Sequence, residues 1–344
     1  MKKISFFGRT DLGCVRTNNE DAFLVCNVWD DDHVLAVVID GVGGYEGGEV
    51  AAALAQESIL EFFNLNTEGD CLQILKEAVI SANNRIFSEK GQNPSLCNMS
   101  CVLTASLIEL DSMRVNIAHV GDTRIYQYAS SHMEKLSHDH SLVGYREEIG
   151  DLTEEEAMTH PQRNIISRDV GSSLLAFTDD SYVEVASYPL EDNTQLLLCS
   201  DGLCDMITSK KMSEILSQET SVEDKVNSLI DEALNAGGRD NVTVIVVEIC
   251  SDESNLKEEI TPEVIETTEI VSPQPKKRRK LPMILILVLI IIGIWIFCSP
   301  VLFTDKSSTE KISADTTLVE PADTVSINDS LLTSSVDSVD TDIQ

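Results

Sequence analysis

Three aspartates lie beside apolar, strand-like runs of this sequence, where a carboxylate is costly to bury. Asp40 and Asp201 each follow such a run directly, and Asp240 comes just before another. A carboxylate that loses water needs a compensating partner, and lysine and arginine are scarce around these acids. Mg²⁺ and Mn²⁺ bind carboxylate and carbonyl oxygens. The three aspartates therefore predict a shared divalent-metal site.

Glycine follows two of these aspartates, in the pairs Asp40-Gly41 and Asp201-Gly202. A residue without a Cβ lets the backbone approach closely, so the Gly41 carbonyl can itself serve as a ligand. A single Asp-Gly pair is a common turn signal and would be interpreted as one. Two such pairs, in a set of three acids at strand ends, favour a site.

Charged residues elsewhere in the sequence are further candidates for this site. Arg16 lies four residues before Glu20, and an arginine near a metal cluster is a candidate to grip a phosphate through two hydrogen bonds. Asp122 sits in a Gly-Asp pair between the predicted strands 114–120 and 124–128. Taken alone, that pair predicts only the turn of a β-hairpin.

The elements that must position these residues follow from runs of Val, Ile and Leu bounded by turn residues. Strands are predicted at 23–28, 34–40, 101–110, 114–120, 124–128, 182–185, 195–200 and 242–249. Apolar spacing predicts helices at 48–63, 71–87, 209–218 and 223–236, and Thr153 with Glu156 forms a capping-box start. This order favours an α+β fold with antiparallel sheets covered by helices.

Composition excludes some classes of protein. The chain has 344 residues and a formal net charge of -33, which argues against binding a nucleic-acid backbone. Its nine cysteines are an odd number and include no Cys-x-x-Cys motif. Free thiols in a reducing compartment fit this pattern better than a disulfide framework.

The sequence also predicts a membrane anchor. Residues 281–303 carry no charge and follow the basic cluster 276–280; about 20 apolar residues span a bilayer as a helix. Basic residues beside a span stay cytoplasmic, which places the globular part, residues 1–250, in the cytoplasm. Residues 251–280 are predicted to be an acidic linker ending in the basic cluster, and residues 304–344 a disordered extracytoplasmic tail.

Seven segments follow one another along residues 1–250: RTNNEDAF, VVIDGVGGYEGGE, GDTRIY, HDHSLV, LTEEEAMTHPQRNIISRDVG, LLLCSDGLCDMI and GGRDNVTVIVV. In content and order they resemble the motifs of the metal-dependent serine/threonine protein phosphatases (the PPM, or type 2C, family) in its bacterial form. The resemblance implies an αββα sandwich, in which two antiparallel sheets are covered by helices. It also implies two Mg²⁺ or Mn²⁺ ions at one end of the sandwich.

The resemblance assigns metal ligands residue by residue. It implies that Asp40 bridges both ions, helped by the Gly41 carbonyl. Asp201 and Asp240 complete the ligand set of one ion, and Glu20 binds at the other, directly or through water.

Further roles come from the same resemblance. Asp122 matches the acid that holds a third ion in several family members, together with Asp201, so that two or three ions are expected. Arg16 matches the phosphate-binding arginine, and residues 141–161 match the flap that influences substrate access. The implied reaction is attack on phosphorus by a water that the two metals activate, with proteins phosphorylated by cytoplasmic Ser/Thr kinases as substrates.

Two positions depart from the family pattern. Val42 stands where animal members carry a histidine proposed to protonate the leaving group, and Tyr45 stands where many bacterial members carry a histidine. The leaving-group acid is therefore unassigned. His138 and His140 resemble metal ligands by type, but their place at the flap entrance favours a structural or substrate-positioning role.

Two other functions compete with a membrane-anchored phosphatase. One is a catalytically inactive relative that acts as a phosphoprotein-binding membrane scaffold; it is disfavoured because every predicted ligand position carries an acid. The other is an acidic calcium-binding membrane protein, which would gather its ligands in one loop as an EF-hand does. The sequence contains no such loop.

Overall fold

A computed structural model describes residues 2–42 and 47–251. In these two stretches no helix is both long and apolar enough to cross a membrane. Apart from Ser251, which the structure places in a strand, the predicted linker lies outside the described residues. The membrane span over residues 281–303 and the tail also lie outside them, so the membrane anchor stays a prediction.

The described strands form two five-stranded antiparallel sheets. Their order is β1-β10-β9-β6-β7 in the first sheet and β2-β3-β4-β5-β8 in the second. The bounds are β1 Lys2–Asp11, β2 Ala22–Asn27, β3 His33–Val42, β4 Ser100–Glu109, β5 Arg114–Val120, β6 Arg124–Ala129, β7 His132–Lys135, β8 Glu184–Pro189, β9 Gln195–Cys199 and β10 Val242–Ser251.

Helices cover the outer face of each sheet. The α-helices of the described residues are α1 Gly48–Leu65, α2 Cys71–Gln92, α5 Asp201–Cys204, α6 Ser209–Leu216 and α7 Val222–Asn235, together with α3 Leu142–Glu148 and α4 Glu154–Met158 in the segment between β7 and β8. One apolar core joins α1 and α2 to the second sheet, and another joins α5, α6 and α7 to the first sheet. A third core lies between the sheets. The predicted αββα sandwich is confirmed for the described residues.

The alternation along β3 explains how an apolar run can end in a functional acid. Val34 and Val38 belong to the core between the sheets, whereas Leu35 and Ile39 belong to the core under α1 and α2. Successive side chains of a strand point to opposite faces. Asp40 is therefore in phase with Val34 and Val38, at the edge of the gap between the sheets.

Several sequence predictions needed correction. The interpretation of Gly121-Asp122 as a hairpin turn is wrong, because β5 and β6 belong to different sheets. The residues between them instead carry the chain across the sandwich. Strands β1 and β7 and helix α3 were not predicted, and the strand predicted at 182–185 begins at Glu184. The capping box of α4 is confirmed, since Thr153 and Glu156 exchange both hydrogen bonds.

Candidate active site

The predicted site residues come together at one end of the sandwich. A cleft of about 230 Å³ is lined there by Arg16, Glu20, Asp40, Gly41, Asp122, Asp201 and Asp240. These positions are up to 224 residues apart in the chain, as for the Arg16–Asp240 pair. Every residue that the sequence placed at the site lines this cleft.

Different elements deliver the acids. Asp40 lies near the end of β3, Asp201 is the first residue of α5, and Asp240 lies just before β10. Asp122 sits in the connection between β5 and β6 that crosses from one sheet to the other. The cleft thus lies where strand ends of both sheets meet, as the positions of the three strand-end aspartates predicted.

The two Asp-Gly pairs are required by the close approach of the backbone. A Cβ on Gly41 would lie 2.5 Å from the Glu20 carbonyl oxygen, and the Gly41 N–H donates to that same oxygen at 3.1 Å. A Cβ on Gly202 would overlap the carbonyl oxygen of Asn241. Each glycine lets another site-bearing segment lie directly against its aspartate, which confirms the close approach inferred from the sequence.

The electrostatics of the cleft are those of crowded acids. Burial, followed by the nearby charges of Asp21, Asp201 and Asp122, raises the pKa of Asp40 well above its usual value. Burial and then Asp122 and Asp205 raise the pKa of Asp201 in the same way. Burial, with Asp139 as the next cause, raises the pKa of Asp122 to about 7.

These carboxylates fit a divalent-cation centre. Among the described residues, no side chain donates a hydrogen bond to the carboxylate of Asp40 or Asp201 or forms an ion pair with it. Crowded carboxylates resist ionisation unless positive charge offsets their repulsion. The donor set, which is carboxylates with a closely approached backbone carbonyl at Gly41, is the oxygen set that Mg²⁺ and Mn²⁺ prefer.

Arg16 is the cationic group at the edge of this cleft. Its Nη2 donates to Asp240 Oδ2 at 2.8 Å, and its side chain is about half exposed. Burial opposes the charge of Arg16, but the hydrogen bond to Asp240 and the neighbouring acids raise its pKa. A guanidinium carries five N–H donors, so the pairing with Asp240 leaves donors for a phosphate.

Asp21, directly after Glu20, was not assigned to the site by sequence reasoning. Its Oδ2 accepts hydrogen bonds from Ser200 Oγ at 2.9 Å and from Thr243 Oγ1 at 2.6 Å. Burial raises its pKa to about 6 despite these bonds. Two hydroxyl residues in the sequence could have indicated this contact: Ser200 directly before Asp201, and Thr243 three residues after Asp240. Both stand at positions where the alternation along the strands directs the side chain toward the gap between the sheets.

Asn241 was also missed, and it fixes the loop that carries Arg16 and Glu20. Its Oδ1 accepts from the Glu20 backbone N–H at 2.8 Å. Its Nδ2 donates to the carbonyl oxygens of Leu12 and Asn18, both at 3.0 Å. An amide directly after Asp240 was the only signal in the sequence.

The predicted flap, residues 141–161, contains α3 and α4. The cleft itself is lined from this side by Asn164 and Ile166, just beyond the predicted boundary. A second, smaller cavity shares Asp122 and Asp201 with the cleft and is bounded partly by flap residues. The flap therefore borders the acid cluster at the position where a third ion was predicted.

The structure places some of the two positions that depart from the family pattern and the two flap histidines at the cleft and others away from it. Val42 lines the cleft, whereas Tyr45 lies outside the described residues. His138 Nδ1 pairs with Glu184 at 2.9 Å, and His140 Nδ1 accepts from the Gly121 N–H at 3.1 Å. Neither histidine lines the cleft, which agrees with a structural role.

The raised pKa of Asp122 predicts how an Asp122→Asn variant behaves without metal. A carboxyl whose pKa rises from 3.8 to about 7 on folding binds a proton in the native state before it does in the unfolded state. The native state therefore bears a penalty for the charged form above pH 7, and this penalty disappears as the pH falls toward 4. In EDTA we expect Asp122→Asn to unfold at higher denaturant than the unsubstituted chain at pH 8, with a much smaller difference at pH 5. An equal difference at both pH values would contradict the prediction.

Known proteins that match this sequence support the same kind of site as its geometry does. The sequence pattern of the protein phosphatase 2C family matches residues 15–236. The chain belongs to the protein phosphatase 2C family. It is thus a serine/threonine phosphatase by class, and its expected substrates are phosphorylated proteins.

Individual members of the protein phosphatase 2C family match nearly over their whole length. The serine/threonine phosphatase stp of Listeria welshimeri is 32% identical over 246 residues, covering 70% of this chain and 94% of the relative. The phosphatase PhpP of Streptococcus pneumoniae is 31% identical over 248 residues, 71% of this chain and 97% of PhpP. The solved catalytic domain of the phosphatase PstP in complex with two manganese ions is 29% identical. It superposes with a TM-score of 0.63 over 73% of this chain and 100% of that domain.

Proposed function

We propose that this chain is a membrane-anchored phosphatase that hydrolyses phosphoserine and phosphothreonine on cytoplasmic proteins with two divalent metal ions. The observation that carries the proposal is the convergence of Glu20, Asp40, Asp201 and Asp240 on one cleft. Cytoplasmic proteins phosphorylated by Ser/Thr kinases are the substrates that such a site would serve.

Each ligand has a proposed place. Asp40 would bridge two Mg²⁺ or Mn²⁺ ions, with the Gly41 carbonyl beside it; Asp201 and Asp240 would complete one ion, and Glu20 would serve the other. When bound, such ions would activate water for attack on phosphorus and neutralise charge on a phosphoryl group. Asp122, with Asp201, offers oxygens for a third ion. The complex of PstP with two manganese ions supports the proposed binding of divalent metal ions.

The rest of the cleft would bind and orient the substrate. Arg16 donates to Asp240, which holds its guanidinium at the rim, where its remaining N–H groups can bind phosphoryl oxygens. Val42, Val102 and Ile166 add apolar side chains to the lining of the cleft. Its described lining contains no serine, cysteine or histidine, so direct hydrolysis fits better than a phosphoserine, phosphocysteine or phosphohistidine intermediate.

Removing the phosphate clamp should weaken substrate use more than metal binding. We expect Arg16→Ala to lower kcat/KM on a phosphothreonine peptide by about 10- to 100-fold, the loss of a charge-assisted hydrogen bond or two. Arg16→Lys keeps the charge but not the two-pronged geometry, and we expect an intermediate loss. Mn²⁺ affinity, measured by calorimetry, should change much less than kcat/KM. Unchanged kcat/KM in Arg16→Ala would refute the clamp.

Metal dependence is the direct test of the catalytic proposal. The full chain, in detergent, would be assayed for phosphate release from phosphothreonine and phosphoserine peptides, first in EDTA and then with added Mn²⁺ or Mg²⁺. We expect no activity in EDTA and full recovery with metal. A chain that binds Mn²⁺ in the cleft but hydrolyses neither peptide would support the alternative, an inactive phosphoprotein-binding scaffold.

The anchor is supported by the sequence alone: the uncharged residues 281–303 follow the basic cluster 276–280. We expect the full chain to sediment with membranes and to resist extraction by alkaline carbonate. A chain stopped after Lys280 should stay in the supernatant. Protease added to intact cells or spheroplasts should remove only the tail, residues 304–344. Loss of residues 1–250 under these conditions would contradict the proposed orientation and indicate the opposite one.

A further inference from the structure

A second group of metal-binding side chains lies at the other end of β3. The ligand atoms of His33, Cys71 and Glu109 all lie within 4.8 Å of one another, and the three residues are half-buried. His33 and Glu109 are direct partners across β3 and β4, and Cys71 is the first residue of α2. His33 is seven residues from Asp40 along β3, which separates this group from the cleft by about 23 Å.

Neighbouring side chains hold two of these ligands in place. Nδ1 of His33 pairs with Asp30 Oδ1 at 2.6 Å, and Nε2 has no hydrogen-bond partner among the described residues. A carboxylate on the far nitrogen of a metal-binding histidine is the usual outer-shell arrangement. Oε1 of Glu109 accepts from Asn116 Nδ2 at 2.5 Å. The free imidazole nitrogen and the carboxylate are thus both oriented without a metal.

The surrounding charges favour a cation. Glu109 and, to a smaller extent, Asp70 place negative charge beside the Cys71 thiol. Arg114 is the nearest base along the strands, paired with Glu109 across β4 and β5. Its guanidinium donates to Ser187 and, in the part of the chain that the structure describes, forms no ion pair. The group is therefore a thiol beside carboxylates, and among the described residues no lysine or arginine forms an ion pair with Glu109 or Asp70.

We propose that His33 Nε2, Cys71 Sγ and a carboxylate oxygen of Glu109 bind Zn²⁺, with solvent at the fourth position. Imidazole, thiolate and carboxylate are the ligands of protein zinc sites, and a thiolate disfavours Mg²⁺ and Mn²⁺. On binding, the Sγ–H bond breaks, the proton leaves to solvent and the sulfur electron pair forms the bond to zinc.

The required adjustment is small. Tetrahedral zinc with its usual bond lengths separates ligand atoms by about 3.3–3.8 Å, so the three atoms need to move together by roughly 1 to 1.5 Å at most. Side-chain rotation supplies such a shift. A bound ion would link β3 and β4 to the start of α2, and it would stabilise the native state as any ligand that binds only the folded chain does.

A similar trio does not support the same inference. The ligand atoms of His119, His140 and Glu184 are also within 4.8 Å of one another. Both nitrogens of His119 are already used, Nδ1 with Thr104 Oγ1 and Nε2 with the Gly121 carbonyl, each at 2.9 Å. A metal there would have to break this buried hydrogen-bond network.

Cobalt titration of the full chain tests the proposal independently of phosphatase activity. Co²⁺ bound to a thiolate gives a charge-transfer absorption in the near ultraviolet, and the described lining of the active-site cleft contains no cysteine. We expect added Co²⁺ to produce this band in the unsubstituted chain, with an amplitude that corresponds to one thiolate-bound ion per chain, and Zn²⁺ to displace it. Cys71→Ser should lose the band, whereas Cys97→Ser, which changes an exposed thiol outside the trio, should keep it.

Zinc affinity provides a second measurement. In competition with a chromophoric chelator, we expect Cys71→Ser, His33→Gln and Glu109→Gln each to lose one tightly bound Zn²⁺ per chain. Asp30→Ala should weaken that site about 10- to 100-fold, as loss of an outer-shell partner does. Absence of the cobalt band, its persistence in Cys71→Ser, or unchanged zinc stoichiometry in all three ligand variants would each overturn the proposal. Circular dichroism of each variant separates loss of the site from loss of the fold.

Discussion

Asp201→Asn should abolish phosphate release and, in the same molecule, raise the melting temperature measured in EDTA. Asp201 is crowded by Asp122, Asp205 and Asp240, and burial with these charges raises its pKa well above the usual value. Asparagine removes that repulsion, so the metal-free fold gains stability. It also removes a carboxylate from the proposed metal centre, and losses at such electrostatic positions are about a thousandfold. Peptide hydrolysis with Mn²⁺ and thermal unfolding in EDTA measure the two effects.

Asp231→Asn is the matched control, because it removes one exposed carboxylate from α7, away from the cleft. We expect it to change neither activity nor the melting temperature appreciably. An Asp201→Asn enzyme that keeps more than a tenth of the activity would contradict the proposed ligand role. A lower melting temperature in EDTA would contradict the repulsion among the cleft acids.

Gly202→Ala should give the largest loss of stability. A Cβ at this position would overlap the Asn241 carbonyl oxygen and lie 2.9 Å from its carbonyl carbon. Both contacts are with backbone, so relief requires β10 and the start of α5 to separate. We expect the free energy of unfolding to fall by about 3–5 kcal/mol, the upper range for a single substitution that overpacks a core. Urea unfolding followed by circular dichroism measures this.

Gly91→Ala serves as its control. Gly91 lies in α2, and an added Cβ there meets nothing within 4 Å. Alanine is a better helix former than glycine by up to about 1 kcal/mol, so this variant should be as stable as the unsubstituted chain or slightly more so. Equal urea midpoints for the two alanine variants would show that the close approach at Gly202 costs nothing.

The fold and the acid cluster were predictable where one signal dominated. Continuous apolar runs identified β3, β4 and β9 because these strands are buried on both faces, and Asp40 and Asp201 stood out against them. The capping box at Thr153 is likewise a local signal that the structure confirms. The metal-ligand assignments themselves came from the motif resemblance, and the structure adds that these residues share one cleft.

Other features depend on contacts distant in sequence. Strand β1 is half-exposed along most of its length, so it shows no apolar run. The Gly121-Asp122 segment has the local sequence of a hairpin turn, and only the partners of β5 and β6 show that it joins two sheets. Asp21 gains its partners Ser200 and Thr243 across more than 170 residues. No short window of sequence contains both Asp21 and these partners.

The pairing of β1 with β10 has a consequence for synthesis on the ribosome. β1 is an edge strand whose partner is β10, with Lys2 opposite Ser251 and Asp11 opposite Val242. Arg16 follows the first strand and Asp240 precedes the last, so their 2.8 Å contact forms only when this pair closes. A nascent chain that has emerged only as far as α7 holds β1 without its partner. The proposed metal centre is therefore completed only when β10, the last of the described strands, has left the exit tunnel, and a chain truncated before β10 would lack a complete centre.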